Sequence, residues 1–226
     1  MAKSTTVGQY LIHRLGELGL RHVFGIPGDY VLRFYDELTH SKLSIVGTCT
    51  EAGAAFAADG YARVNGLGAV CVTYCVGGLN TVNAVAGAYA EKSPLIVISG
   101  APGRNERIRS PLLHHRVRDF NTQRLIFEQV TSVAVAIEDA SLAPREIDRA
   151  LAACLSTKRP VYIELPRDMV DRPCPMPTPW SQPPPRSDAK TLDEVLREAS
   201  DMLRQARRPV ILAGVELHRF GLQPAL

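Results

Sequence analysis

Apolar side chains recur at helical spacing through Val7, Tyr10, Leu11, Leu15 and Leu18 and stop at Gly19, which predicts a helix over residues 5–19 with Thr5 or Thr6 as its N-cap. The run His22-Val23-Phe24-Gly25-Ile26 then reads as a strand, Pro27-Gly28-Asp29 as a turn, and Val31, Leu32, Tyr35 and Leu38 as a second helical stripe. The same unit repeats, with strands at 44–48, 69–74 and 95–99 and helices at 51–64, 79–91 and 118–128. Two more strands, 131–137 and 161–165, bracket a helix at 144–156 with Pro144 in its first turn, where the missing N–H is harmless. Ala69-Val70-Cys71-Val72 and Leu95-Ile96-Val97-Ile98 are unbroken apolar runs, as strands covered on both faces should be. The pattern predicts an α/β fold: a doubly wound, mostly parallel six-stranded sheet with helices on both faces.

Seven prolines fall between Pro173 and Pro185. A segment so poor in backbone donors reads as a linker rather than a domain interior. Beyond it, Leu192, Val195, Leu196, Ala199, Met202 and Leu203 form an amphipathic stripe, and Pro209-Val210-Ile211-Leu212-Ala213-Gly214 reads as a strand and glycine turn. The expected organisation is a first domain over 1–172, a linker over 173–189 and, over 190–226, the opening of a second α/β domain cut short.

Composition adds exclusions. With 226 residues and 46% apolar content the chain can bury a full core, and a net charge of +3 gives no reason to expect nucleic acid. The basic run Arg104, Arg107, Arg109, Arg116 and Arg118 reads as a solvated loop. Five cysteines at irregular spacing describe no disulfide framework. Cys71 and Cys75, taken as one strand, would be about 13 Å apart at ~3.3 Å per residue, beyond the ~7 Å reach of a bridge. No apolar stretch approaches a membrane span or a signal peptide, so a cytoplasmic protein without a membrane partner is the expectation.

Candidate chemistry gathers at the predicted carboxyl ends of the strands, where open parallel sheets bind ligands. Asp29 follows the first, as a helix N-cap or as a site group. Glu51 follows the second, one carboxylate opening a helix whose Ala52, Gly53, Ala54, Ala55, Ala57 and Ala58 leave room for another backbone or a flat ligand, with Asp59 and Arg63 as a solvated far end. Thr73 to Gly78 follow the third; Gly77 and Gly78 form either a tight turn or a phosphate cradle, with neither P-loop nor dinucleotide-fold spacing. His114 and His115 lie in a long loop, 101–117, where adjacent imidazoles can converge and transfer protons.

Together, Gly25-Ile26-Pro27-Gly28-Asp29, Thr50-Glu51 with its alanine-rich helix, Asn83 to Glu91, and Leu112-Leu113-His114-His115 resemble the N-terminal, pyrimidine-binding domain of thiamine diphosphate-dependent 2-oxo acid decarboxylases over residues 4–172. The resemblance implies that Glu51 hydrogen-bonds the aminopyrimidine ring and promotes the tautomer that activates the cofactor. It implies that Asp29, His114 and His115 are acid–base groups near the substrate, and that Gly28, Thr73, Gly77, Gly78 and Asn83 join Glu51 in binding cofactor. It further implies a 2-oxo acid substrate such as pyruvate, indolepyruvate or phenylpyruvate, and a dimer or tetramer in which another subunit or the C-terminal domains complete each site. Acetolactate synthase-like relatives usually lack both the Asp and the His pair, so decarboxylation is favoured over carboligation.

The family holds Mg²⁺ and the diphosphate through a Gly-Asp-Gly motif that this sequence lacks, so no metal ligand is expected in this chain. The chain alone is therefore expected to be inactive and to bind cofactor weakly. Two other readings stay open: a truncated, non-catalytic interaction domain, and a flavodoxin-like nucleotide binder using Gly77 and Gly78.

Overall fold

The computed structural model describes residues 4–108, 110–181 and 187–226. The chain divides into two compact units, the first ending at Trp180 and the second beginning at Ser181. The first unit runs β1 (Ser4–Thr6), α1 (Val7–Glu17), β2 (His22–Gly25), α2 (Leu32–Thr39), β3 (Ser44–Gly47), α3 (Glu51–Asn65), β4 (Gly68–Val72), α4 (Val76–Asn80) and α5 (Val82–Ala90). It continues through β5 (Leu95–Ala101), α6 (Arg104–Arg107), α7 (Thr122–Phe127), β6 (Val133–Ala136), α8 (Ala143–Thr157), β7 (Val161–Pro166) and β8 (Pro173–Pro175). Six strands form one parallel sheet in the order β3-β2-β4-β5-β7-β6.

The unbroken apolar strands serve two cores. Ala69 and Cys71 face a cluster built with Leu11 and Leu15 of α1, Phe34 of α2 and Ile147 and Leu151 of α8. Val70 and Val72, one residue out of phase, face Ala54, Ala55 and Ala58 of α3, Val85 of α5 and Phe127 of α7. Two-residue alternation inside an apolar run thus divides side chains between helices on opposite faces. The sense in which strands are added reverses at β2, which has β3 on one side and β4 on the other, making the β2–β4 boundary the switch point where such sheets open a crevice.

Several expectations change. Thr6, not Thr5, caps α1, its hydroxyl accepting from Gln9 N. The residue before α2 is Val31, with no side-chain cap, so Asp29 is not its N-cap. Cys75 lies past β4, at a left-handed φ of 57° ahead of α4, and the helix expected from 79 is two short helices. Asp59 is buried beneath its ion pair with Arg63, so the far end of α3 is not simply solvated.

The basic run is not simply a solvated loop either. Arg107 bonds the buried Glu164 at 3.0 Å, and Arg116 bonds the carbonyls of Ser110 and Pro111, both at 2.7 Å. Arg109 lies outside the described residues.

The proline-rich segment also begins differently. Residues Pro173–Pro175 pair antiparallel with Ser4–Thr6, prolines being tolerated on a strand with a free edge. Arg14, almost fully buried, donates from Nη1 to the carbonyl of Thr178 and to Glu17, both at 2.6 Å, and stacks near Trp180 while Nε and Nη2 meet Asp148. Residues 173–180 are therefore packed with the first unit; residues 182–186 of the expected linker lie outside the described residues.

In the second unit Asp188 caps α9 (Ala189–Gln205), and α10 (Val215–Arg219) and a short 3₁₀ turn at Gln223–Ala225 follow. The expected strand at 209–214 does not form: Val210 is 91% and Leu212 96% exposed. A solitary strand has no neighbour for its N–H and C=O groups. Among the described residues no helix is long and apolar enough to cross a membrane.

Candidate functional site

At the switch point, the turn after β2 delivers Asp29 to the residue that follows β4. Thr73 Oγ1 donates to Asp29 Oδ1 at 3.5 Å. This approach depends on glycine: a Cβ at Gly28 would lie 2.5 Å from Thr73 Cβ. A Cβ at Gly77 would lie 2.9 Å from Thr73 Cγ2 and 3.7 Å from Glu51 Cγ, so the bare Gly77 is what lets Thr73 and Glu51 share one rim. At Gly78 the space is already taken, a Cβ there meeting Gln123 Oε1 at 2.2 Å. Gly78 therefore serves packing, and the pair does not form an open phosphate cradle as the flavodoxin-like reading required.

Glu51 opens α3 because Thr50 caps it, the hydroxyl accepting from Gly53 N at 3.0 Å. Its carboxylate is half-buried, and Asn80 Nδ2 donates to Oε2 at 2.8 Å. The amide that meets Glu51 is thus Asn80's; Asn83 is exposed on the first turn of α5. Asn80 carries no sequence signal beyond its place at the end of a turn-like segment.

The long loop after β5 brings both imidazoles to Asp29. His114 Nε2 contacts Asp29 Oδ2 directly, and ligating atoms of Asp29, His114 and His115 all lie within 4.8 Å of one another. The His114 and His115 rings meet edge to face at 4.8 Å. His115 holds a left-handed φ of 64°, a conformation that costs about 1–3 kcal/mol for a non-glycine residue. Among the described residues its buried Nδ1 has no hydrogen-bond partner, which marks it as a polar atom to be accounted for.

Two supports were not legible as site residues. Tyr30, buried beside Asp29, stacks on His114 at 4.7 Å. Beneath the loop, Glu164 accepts from Arg107 and from the Tyr162 hydroxyl at 2.9 Å, while Gln123 donates to Ser99 Oγ at 2.7 Å. Burial raises the Glu164 carboxyl despite Arg107 and Tyr162. Arg107 therefore ties the loop that carries the histidines to the sheet.

Burial alone would raise the Asp29 carboxyl, but the hydrogen bond and charge of His114, with His115 and the Tyr30 N–H, hold it below the ordinary value. Glu106 is lowered first by its hydrogen bond from Arg167, against a smaller effect of burial. Unfolded Asp and Glu titrate near ~4, so the stabilisation is complete above that value and is lost as pH falls through the lower folded ones. Amide-exchange protection at Arg116, whose N–H bonds Leu113 O, is expected to stay level from pH 7 to about 5 and to fall below about 4 once intrinsic rates are corrected. Loss already between pH 7 and 5 would show that these two carboxylates do not control the loop.

Carboxylates, imidazoles and a helix start gather at the crevice of a doubly wound α/β sheet, side chains of the kind that bind polar ligands and exchange protons. A family profile described as "Thiamine pyrophosphate enzyme, N-terminal TPP binding domain" matches residues 5–122, just over half of the sequence, and the chain belongs to that family. It is 42% identical over 99% of its length to a "Probable pyruvate decarboxylase" of Schizosaccharomyces pombe, and 41% identical over 98% to a pyruvate decarboxylase of Neurospora crassa. It is 41% identical over 96% to an indole-3-pyruvate decarboxylase of Azospirillum brasilense. The chain spans about 40% of the length of each of these relatives.

Proposed function

We propose that this chain supplies the pyrimidine half of a thiamine diphosphate site in a 2-oxo acid decarboxylase acting on pyruvate, indolepyruvate or phenylpyruvate. The observation that carries the reading is the meeting of Asp29, His114 and His115 on the rim that also holds Glu51. The residues fit the cofactor. Glu51 offers a carboxylate with Oε2 fixed by Asn80, leaving Oε1 to accept from a ring nitrogen, and the bare Gly77 leaves space beside it. Bound there, the cofactor supplies the electron sink for loss of carbon dioxide. Asp29 and His114 hold a proton between them for delivery to the carbon that carbon dioxide leaves, with the His115 ring packed edge to face against His114. Both the Asp and the paired imidazoles favour decarboxylation over an acetolactate synthase-like carboligation.

Mg²⁺ and the diphosphate fall to residues outside this chain, in another subunit or in C-terminal domains. The exposed stripe of Gly53, Phe56, Gly60 and Val64 on α3 supports a second subunit as partner, since its small residues admit close approach. The domain limits 1–172 and 190–226 and a cytoplasmic location belong to the same reading. Calorimetry with thiamine diphosphate and Mg²⁺ tests it: weak binding and no turnover by the chain alone, with both restored by a partner chain covering the rest of the relatives' length. Tight binding and turnover by the isolated chain would overturn the half-site, and no binding in either arm would leave the non-catalytic interaction domain.

A further inference from the structure

The geometry points to Tyr30 as a positioning residue that determines which nitrogen of His114 gives up and regains the proton, an inference that rests on the acid–base role proposed for His114. The Tyr30 hydroxyl lies 3.1 Å from the backbone carbonyl of His114 and 3.2 Å from Nδ1 of the same residue. A hydroxyl has one proton, and a carbonyl oxygen can only accept. The Tyr30 proton therefore goes to the carbonyl, and Nδ1 must donate to the Tyr30 oxygen. With Nδ1–H fixed, the exchangeable proton is confined to Nε2, the nitrogen that faces Asp29 Oδ2. When that proton leaves, His114 remains as the Nδ1–H tautomer, and Nε2 is the atom to which a proton returns.

Tyr30 is built to hold this place. It is 1% exposed, its ring lies 19° from parallel with His114, and Tyr74 meets it edge-on at 5.6 Å. Arg167, itself paired with Glu106, covers the ring at 5.2 Å, and His115 lies edge-on at 6.0 Å. Burial raises the phenol, with Asp29 and Glu106 adding to the rise and Arg167 opposing it, so the hydroxyl stays a donor. Among the described residues, the charged and titratable groups around the pair are Asp29, Tyr74, His115, Glu106 and Arg167.

The test is ¹⁵N NMR of the full chain labelled at histidine, without cofactor or substrate. In the unmodified chain His114 Nδ1 is expected to show the shift of a protonated nitrogen. Tyr30→Phe, which keeps the ring stacking, is expected to lose that signal, whereas Asp29→Asn is expected to keep it. A role confined to packing would leave the tautomer unchanged in Tyr30→Phe. An unprotonated Nδ1 in the unmodified chain overturns the inference, even if Tyr30→Phe does not fold. So does retention of Nδ1–H in a folded Tyr30→Phe chain, or its loss in Asp29→Asn. Failure of the chain to bind thiamine diphosphate would leave these spectra as they are, so the two readings fail separately.

Discussion

Glu51→Gln is expected to lower 2-oxo acid decarboxylation by roughly 10²–10⁴-fold, the range of a lost proton-transfer group, when assayed in a chain completed to the relatives' length. The reason lies in Asn80, whose Nδ2 requires an acceptor at 2.8 Å. A glutamine at position 51 must turn its carbonyl oxygen toward Asn80 and present its NH₂ to the ring side. The acceptor that the proposed site needs then becomes a donor. The fold is expected to survive, because Thr50 still caps α3 through Gly53 N. Turnover and exchange of the cofactor's C2 proton, followed by NMR, measure the effect; rates equal to those with Glu51 would remove the residue from this role.

Gly25→Ala is expected to destabilise the first unit by about 3 kcal/mol or more, the upper end of overpacking. A Cβ there would lie 1.9 Å from the Cys71 carbonyl oxygen and 2.4 Å from the Tyr35 hydroxyl. The same hydroxyl donates to that carbonyl at 2.8 Å, so the substitution strikes both partners of a buried hydrogen bond. No side-chain rotation relieves a collision with backbone, and β2 cannot retreat because Gly25 is in register with Cys71 on one side and Gly47 on the other. Chemical denaturation of the variant measures the loss; a midpoint within error of the parent would mean that the strands separate more easily than their pairing indicates.

Legibility in the sequence followed the range of the interactions. The six parallel strands and the long helices show as runs and stripes because each buries a face of its own. β1 and β8 were invisible because three residues leave no period to detect, and prolines at both ends of β8 argued for a linker. The strand expected at 209–214 had the right composition and no neighbour. At the site, Asp29, Glu51 and the histidines were legible from their places in motifs, but what holds them was not. Tyr30 adjoins Asp29 in the chain yet acts on His114, 84 residues away, and Asn80 reaches Glu51 across 29. Arg107 looked like one cation in an exposed basic run, although its partner Glu164 lies on a strand that periodicity marks as core.

The pairing of β1 with β8 also bears on synthesis. Val7 N and Gly8 N bond the carbonyls of Arg172 and Val170, so α1 is anchored at its start by residues made about 165 positions later. Among the described residues β6 pairs only with β7, which follows it in the chain. On the ribosome β1, the first turn of α1 and β6 must therefore wait for the segment from Val161 to Pro175 to emerge, whereas β2, β3, β4 and β5 can assemble as soon as they are made. Residues 4–8 are among the last to be secured, and a nascent polypeptide stopped before Val161 would present an unpaired β1 and an open edge on β5 to any holdase or neighbouring chain.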